Sequence, residues 1–233
     1  MIKIGYLGNE GPGGRFGSPL AVSLENLTEC KPTPIKLLGG ALTRCPSVRG
    51  YHMNTFEVKC PFDLEWTITR DKTDDSWRWD INPDNTTIDL DKNLEILGVD
   101  SEGKSVQVMI HPGWSFVSDT PNTIMLQHTN GIDTNPQMIS GQLDIYKWPD
   151  RQMSIGYYVE KGKQTFTLKK GKPWYRVTFF LPDLETVKLV KMTERSEFLK
   201  RTANKSYLSN IKYLNWRKVF TDFGNSRPKK LIR

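Results

Sequence analysis

The sequence predicts a mainly β protein, an antiparallel β-sandwich of jelly-roll type, and three observations carry that reading. Residues 56–69 alternate strictly between apolar and polar side chains. About ten strand-sized stretches then follow one another as far as residue 190, and turn signals separate them roughly every 8 to 12 residues. Successive side chains of a strand point to opposite faces, so strict alternation buries one face and wets the other. No internal repeat is visible, which argues against propellers and solenoids.

Residues 1–50 hold half of the 18 glycines and five of the 14 prolines, so they read as an irregular N-terminal arm that needs a surface to lie against. Residues 51–190 form the expected sandwich. Within it Phe56, Val58, Cys60, Phe62, Leu64, Trp66 and Ile68 share one face, and Pro61 demands an edge or a break at the middle, giving two short strands or one bent one. The acidic stretch 71–75 reads as a hairpin connection to Trp77, Trp79 and Ile81. Further strands are expected at 94–99, 105–110, 114–118, 123–128, 139–148, 152–159, 164–169, 175–181 and 186–190, with turns such as Asn130-Gly131, Lys161-Gly162 and Lys170-Gly171 between them. Helix is expected only in the C-terminal tail, residues 191–233, where Thr193 or Ser206 caps short apolar stripes around Phe198, Leu199, Leu208, Ile211 and Leu214. After Gly224 the periodicity stops.

Composition is that of a globular chain, 37% apolar and 25% charged, which excludes global disorder. No stretch reaches the roughly 18 apolar residues of a membrane span, and glycine interrupts the N-terminus before a signal-peptide core forms, so an unsecreted protein away from membranes is expected. Cys30, Cys45 and Cys60 lack paired spacing and read as free thiols. The charge is uneven. Residues 191–233 carry 12 Lys and Arg against three acidic residues, a net +9, which leaves the remainder at −2 of the chain's +7. A nearly neutral body thus bears a basic tail.

Chemistry has few candidates. A jelly-roll oxygenase places His-x-Asp/Glu on one strand to hold iron, but His52 is followed by Met53-Asn54, His111 by Pro112-Gly113 and His128 by Thr129-Asn130, so no metal site and no cofactor is expected. The glycine cluster at residues 8–15 lacks the Lys-Ser/Thr ending of a phosphate loop. Cys45 has Arg44 beside it and no visible base, so packing is favoured over catalysis, and no catalytic residue is assigned. His111, Trp114, Trp148 and Trp174 adjoin turns, where rim aromatics form a ligand face or close the end of a sandwich. The tail interleaves Lys200, Arg201, Lys205, Lys212, Arg217, Lys218, Arg227, Lys229 and Lys230 with Tyr207, Tyr213 and Trp216. Cations among aromatic faces suit an acidic protein groove or a nucleic-acid strand; protein docking is favoured because no reading helix or aromatic sheet motif accompanies them.

Several short motifs stand in a familiar order: Arg44-Cys45-Pro46-Ser47-Val48, Asn54-Thr55-Phe56 running to Cys60-Pro61-Phe62-Asp63-Leu64, His111-Pro112-Gly113-Trp114, Gly141-Gln142-Leu143-Asp144-Ile145, and Lys170-Gly171-Lys172-Pro173-Trp174 before Phe180-Leu181-Pro182. Residues 44–182 thereby resemble an uncharacterised cupin-like, jelly-roll family of tailed bacteriophages and bacteria. His111 departs from the pattern, and the arm and tail fall outside it. The resemblance implies a compact sandwich without an established reaction. It favours a non-enzymatic phage structural protein that docks on other subunits, in a virion or a homo-oligomer, and resides in the host cytoplasm during assembly. A cupin-like small-molecule or carbohydrate binder or enzyme, and a nucleic-acid accessory protein acting through the tail, are the alternatives.

Overall fold

The computed structural model describes residues 1–8, 33–34, 45–46, 52–60, 62–70, 76–82, 84, 94–99, 105–110, 114–129, 137–149, 155–160, 164–183, 185–192, 196, 198–199 and 225–232. In chain order they form strands β1 (Ile2–Gly8), β2 (Thr33–Pro34), β3 (Thr55–Lys59), β4 (Leu64–Arg70), β5 (Trp77–Ile81), β6 (Leu94–Val99), β7 (Ser105–Ile110), β8 (Trp114–Ser118), β9 (Ile124–Thr129), β10 (Gln137–Ile139), β11 (Gly141–Asp144), β12 (Ile155–Glu160), β13 (Gln164–Leu168), β14 (Pro173–Phe180) and β15 (Val187–Lys191). The protein is mainly β. Four sheets result, with strand orders β15-β1-β8, β11-β9-β14-β3-β2, β13-β4-β5 and β10-β12-β7-β6. Pairing is antiparallel except between β1 and β15, which run parallel.

One core serves all four sheets. It takes Ile4 and Phe116 from the first, Val58, Met125, Tyr175 and Phe179 from the second, Leu64, Trp66 and Phe166 from the third, and Val108, Ile155 and Tyr157 from the fourth. The alternation that begins at Phe56 builds the corner between two of these sheets. Its residues form β3 and β4, which separate at residues 60–63, around the Pro61 where a break was expected. The partner ribbon β13 to β14 bends at the same place: Cys60 N–H donates to the Lys172 carbonyl and Gly171 N–H donates to the Cys60 carbonyl, both at 2.8 Å. Gly171, at the expected Lys-Gly turn, has φ of 76°, in the left-handed region that suits glycine. Lys170 N–H closes the corner on Asp63 Oδ1 at 3.0 Å.

Both ends of the chain join this body. Ile2–Gly8, expected within the irregular arm, is the central strand of its sheet, between β15 and β8. Short extended pieces were expected in the arm, and this one is a full strand in which Ile2, Ile4 and Tyr6 alternate with the exposed Lys3 and with Gly5; in the sequence its glycines read as loop punctuation. Ile4 and Tyr6 enter the main core, whereas Leu7 joins a second cluster. Gly5 gives room to a neighbour: a Cβ there would stand 2.3 Å from Met192 Sδ. Of the rest of the expected arm, Thr33–Pro34 pairs with β3, and residues 9–32, 35–44 and 47–51 lie outside the described residues.

The second cluster lies against the sheet of β1. Leu7 and Val117 pack there with Phe198, Leu199, Leu231 and Ile232, and Val190 and Met192 flank them. In the expected helical tail, 198–199 and 225–226 are helical turns, and 227–232 has no regular structure. Residues 200–224 lie outside the described residues.

Candidate functional site

The densest polar geometry in the described structure is the seat of residues 225–232, and two tight turns build it. The first follows β8. Thr120 N–H donates to Ser118 Oγ at 3.1 Å, the Ser118 and Thr123 hydroxyls lie 2.9 Å apart, and Thr123 Oγ1 donates to the Thr120 carbonyl at 2.7 Å. Serine and threonine hydroxyls bonding their own turn in this way are why such residues concentrate there, and Asn122 supplies the left-handed residue with φ of 58°. The second turn follows β11. Asp144 Oδ1 accepts from Tyr146 N–H at 3.1 Å and Lys147 N–H at 2.9 Å, and the Asp144 carbonyl accepts from Trp148 N–H at 2.9 Å. Ile145 N–H donating to the Thr123 carbonyl at 3.1 Å locks one turn to the other.

Arg227 reaches between these turns. Its Nη1 donates to the Tyr146 carbonyl at 3.1 Å, and its Nη2 donates to the Ser118 carbonyl and to Asp119 Oδ1. The guanidinium also stands 4.2 Å from the centre of the Tyr146 ring, a cation–π contact. Only 3% of the Arg227 side chain is exposed, so burial lowers its pKa; Asp119 and Tyr146 oppose that shift. A guanidinium holds its proton far more tightly than any other side chain, so the group stays charged and depends on these acceptors. Asp119 does more than pair with it. Its Oδ1 also accepts from Leu231 N–H at 2.8 Å and its Oδ2 from Ile232 N–H at 2.9 Å. The side chains of Leu231 and Ile232 are thereby turned into the second cluster. One carboxylate fixes a cation and two backbone donors of a single segment.

A polar row crosses the five-stranded sheet, where Arg176 stands opposite Glu57 on one side and His128 on the other. His128 Nε2 lies 3.1 Å from Thr178 Oγ1, which lies 2.9 Å from Thr55 Oγ1. Burial first, and the Arg176 charge in the same direction, hold the His128 imidazole below its ordinary 6.5 against a raising hydrogen bond to the Thr129 backbone. Neutral imidazole and two hydroxyls make a hydrogen-bonded tie across three strands.

Of the residues singled out from sequence, Arg227 is held within its own chain, and Lys229 and Lys230 are exposed beside it. Lys200, Arg201, Lys205, Tyr207, Lys212, Tyr213, Trp216, Arg217, Lys218 and His111 lie outside the described residues. Trp114 opens β8. Trp148 and Trp174 are buried and offer no open face to a ligand. For Trp174 the reason is a shift of register between Pro173 and Tyr175, a bulge that turns two successive aromatics inward. Its indole packs edge-on against Phe62 and Tyr175, with ring centres 5.1 and 5.3 Å away. Cys45 is exposed, and Cys60 is buried with its Sγ donating to the Phe62 carbonyl at 3.2 Å. Among the described residues no group of three His, Cys, Asp or Glu converges on a metal position. No described helix is long and apolar enough to cross a membrane.

Sequence reasoning passed over Asp119 and Tyr146 and quoted Asp144 only within a motif of the resemblance, with no role assigned. The usable signal was at the far end of the chain, where the apolar pair Leu231-Ile232 closes a basic stretch. No protein-family model matches the chain, and neither does any curated protein or solved structure.

Proposed function

We propose that this chain is a non-enzymatic structural protein of a tailed bacteriophage, a jelly-roll subunit that docks on its neighbours in the virion. The observation that carries the reading is the close aromatic packing among the described core residues. A catalytic or sugar-binding cupin keeps an open cavity with polar groups converging in it. Here Tyr157 and Phe166 meet edge-on with centres 4.7 Å apart, as do Trp66 with Phe166 at 5.6 Å and Phe116 with Phe179 at 5.4 Å. Such close aromatic packing supports a scaffold, and the ordered motifs between residues 44 and 182 support the phage setting. Docking falls to the tail. Both flanks of residues 200–224 are anchored in one cluster, and that stretch carries six Lys and Arg against Asp222 alone. Mass spectrometry of purified particles is the test: the chain is expected among the virion proteins, and its absence from them overturns the proposal.

The same charge favours a second reading, a nucleic-acid accessory protein. That reading requires binding that weakens steeply with salt and disappears when residues 200–224 are replaced by a neutral linker.

A further inference from the structure

We infer that the seat formed by Ser118, Asp119 and Tyr146 is a peptide-binding site exchangeable between copies, which in the assembled state holds residues 225–232 of a second copy of this chain. The inference rests on the proposed subunit role and adds what joins one subunit to the next. The segment is held by two turns and one apolar patch: the carboxylate of Asp119, the carbonyls of Ser118 and Tyr146, the Tyr146 ring, and Leu7 and Val117 with Phe198 and Leu199. None of these contacts depends on which copy supplies the segment. Domain exchange of this kind creates an interface without any new chemistry.

Chain length permits the exchange. The 25 residues between Leu199 and Asn225 span up to about 80 Å when extended. A 233-residue body has a radius of gyration of about 17 Å, so the connection reaches an adjacent copy. Concentration then decides the occupant. Covalent connection favours the chain's own segment, so a dilute chain keeps its segment at home. Copies crowded in an assembly compete with the tether on equal terms.

Complementation between two full-length variants tests this. Asp119→Ala spoils the seat and leaves the segment intact; Arg227→Ala with Leu231→Asp spoils the segment and leaves the seat intact. Each variant alone is expected to have the mass of one chain by light scattering, and an equimolar mixture at high concentration is expected to form a species of two chains. A mixture that stays at the mass of one chain, while both variants unfold cooperatively, overturns the inference. A fluorescent peptide of residues 225–233 gives a second measurement. It is expected to bind the segment-spoiled variant at least tenfold more tightly than the unaltered chain, and a peptide with Arg227→Ala is expected not to bind. If either variant fails to fold, displacement on the unaltered chain at millimolar peptide decides: protection lost at the chain's own Leu231 amide supports exchange, and protection retained overturns it. A negative result here, with the chain present in particles, removes the exchange and leaves the virion role standing.

Discussion

Trp174 on β14 donates its indole N–H to the hydroxyl oxygen of Tyr157 on β12 at 2.5 Å, so one hydrogen bond inside the core joins the five-stranded sheet to a four-stranded one. Replacing Tyr157 with Phe keeps the ring and strands the indole donor. An unpaired buried donor costs about 1–3 kcal/mol, or roughly 2–4 °C in Tm per kcal/mol for a chain of this size. Thermal unfolding of Tyr157→Phe is expected to show that loss, and an unchanged Tm would show that the bond is dispensable.

The same tyrosine sets the alkaline limit of stability. Burial raises its pKa above the ordinary 10, and the indole hydrogen bond only partly opposes this. As pH rises past 10 the unfolded chain releases the proton first, so folding stability falls from there upward. Denaturant titrations across that range are expected to show a drop that Tyr157→Phe shares only in part, the remainder belonging to Tyr6, which burial also raises.

At the acid side His128 acts in the opposite sense. Its folded pKa lies below 6.5, so its contribution is complete above that value and is lost as pH falls toward the folded pKa, where it levels off. His128→Gln is expected to flatten this part of the stability profile. A profile identical in the variant would exclude His128 as its source.

Asp119→Ala removes the acceptor of two amides and a guanidinium at once. Loss of about 1–3 kcal/mol is expected, and hydrogen exchange at Leu231 and Ile232 is expected to quicken well before exchange in β14 does. Uniform quickening throughout the sheets would contradict a local clasp.

Gly171→Ala tests the corner. Nothing stands within 4 Å of a Cβ built there, so any cost is backbone strain at positive φ, about 1–2 kcal/mol, and Gly171→Asn is expected to cost less. Equal stability of all three residues at this position would remove the strain argument.

Where turn signals bound an apolar stretch closely, the strands were legible in the sequence. Leu94–Val99, Ser105–Ile110 and Trp114–Ser118 coincide with their expected bounds, and the break near Pro61 fell where a missing amide donor requires it. Strand Ile2–Gly8 reads in the sequence only as a short extended piece of an irregular arm, because Gly5 and Gly8 count as turn residues in a glycine-rich stretch. Residues 139–148, expected as one strand, hold the end of β10, the strand β11 and the turn that Asp144 caps; the aspartate was the available sign. Trp174 looked like a rim residue because a bulge leaves no mark on the alternation. The seat itself was unreadable, since its parts lie at residues 118–119, 146 and 227–232 and only folding brings them together.

The place of β1 also bears on how the protein reaches its fold. This strand precedes both of its partners, Trp114–Ser118 and Val187–Lys191, by more than 100 residues. Through most of synthesis its amides and carbonyls have no sheet to complete, and pairings so distant in sequence form slowly. The growing chain therefore carries a strand with one open edge until Val187–Lys191 has been made, which leaves that edge exposed to pairing with other chains in the interval.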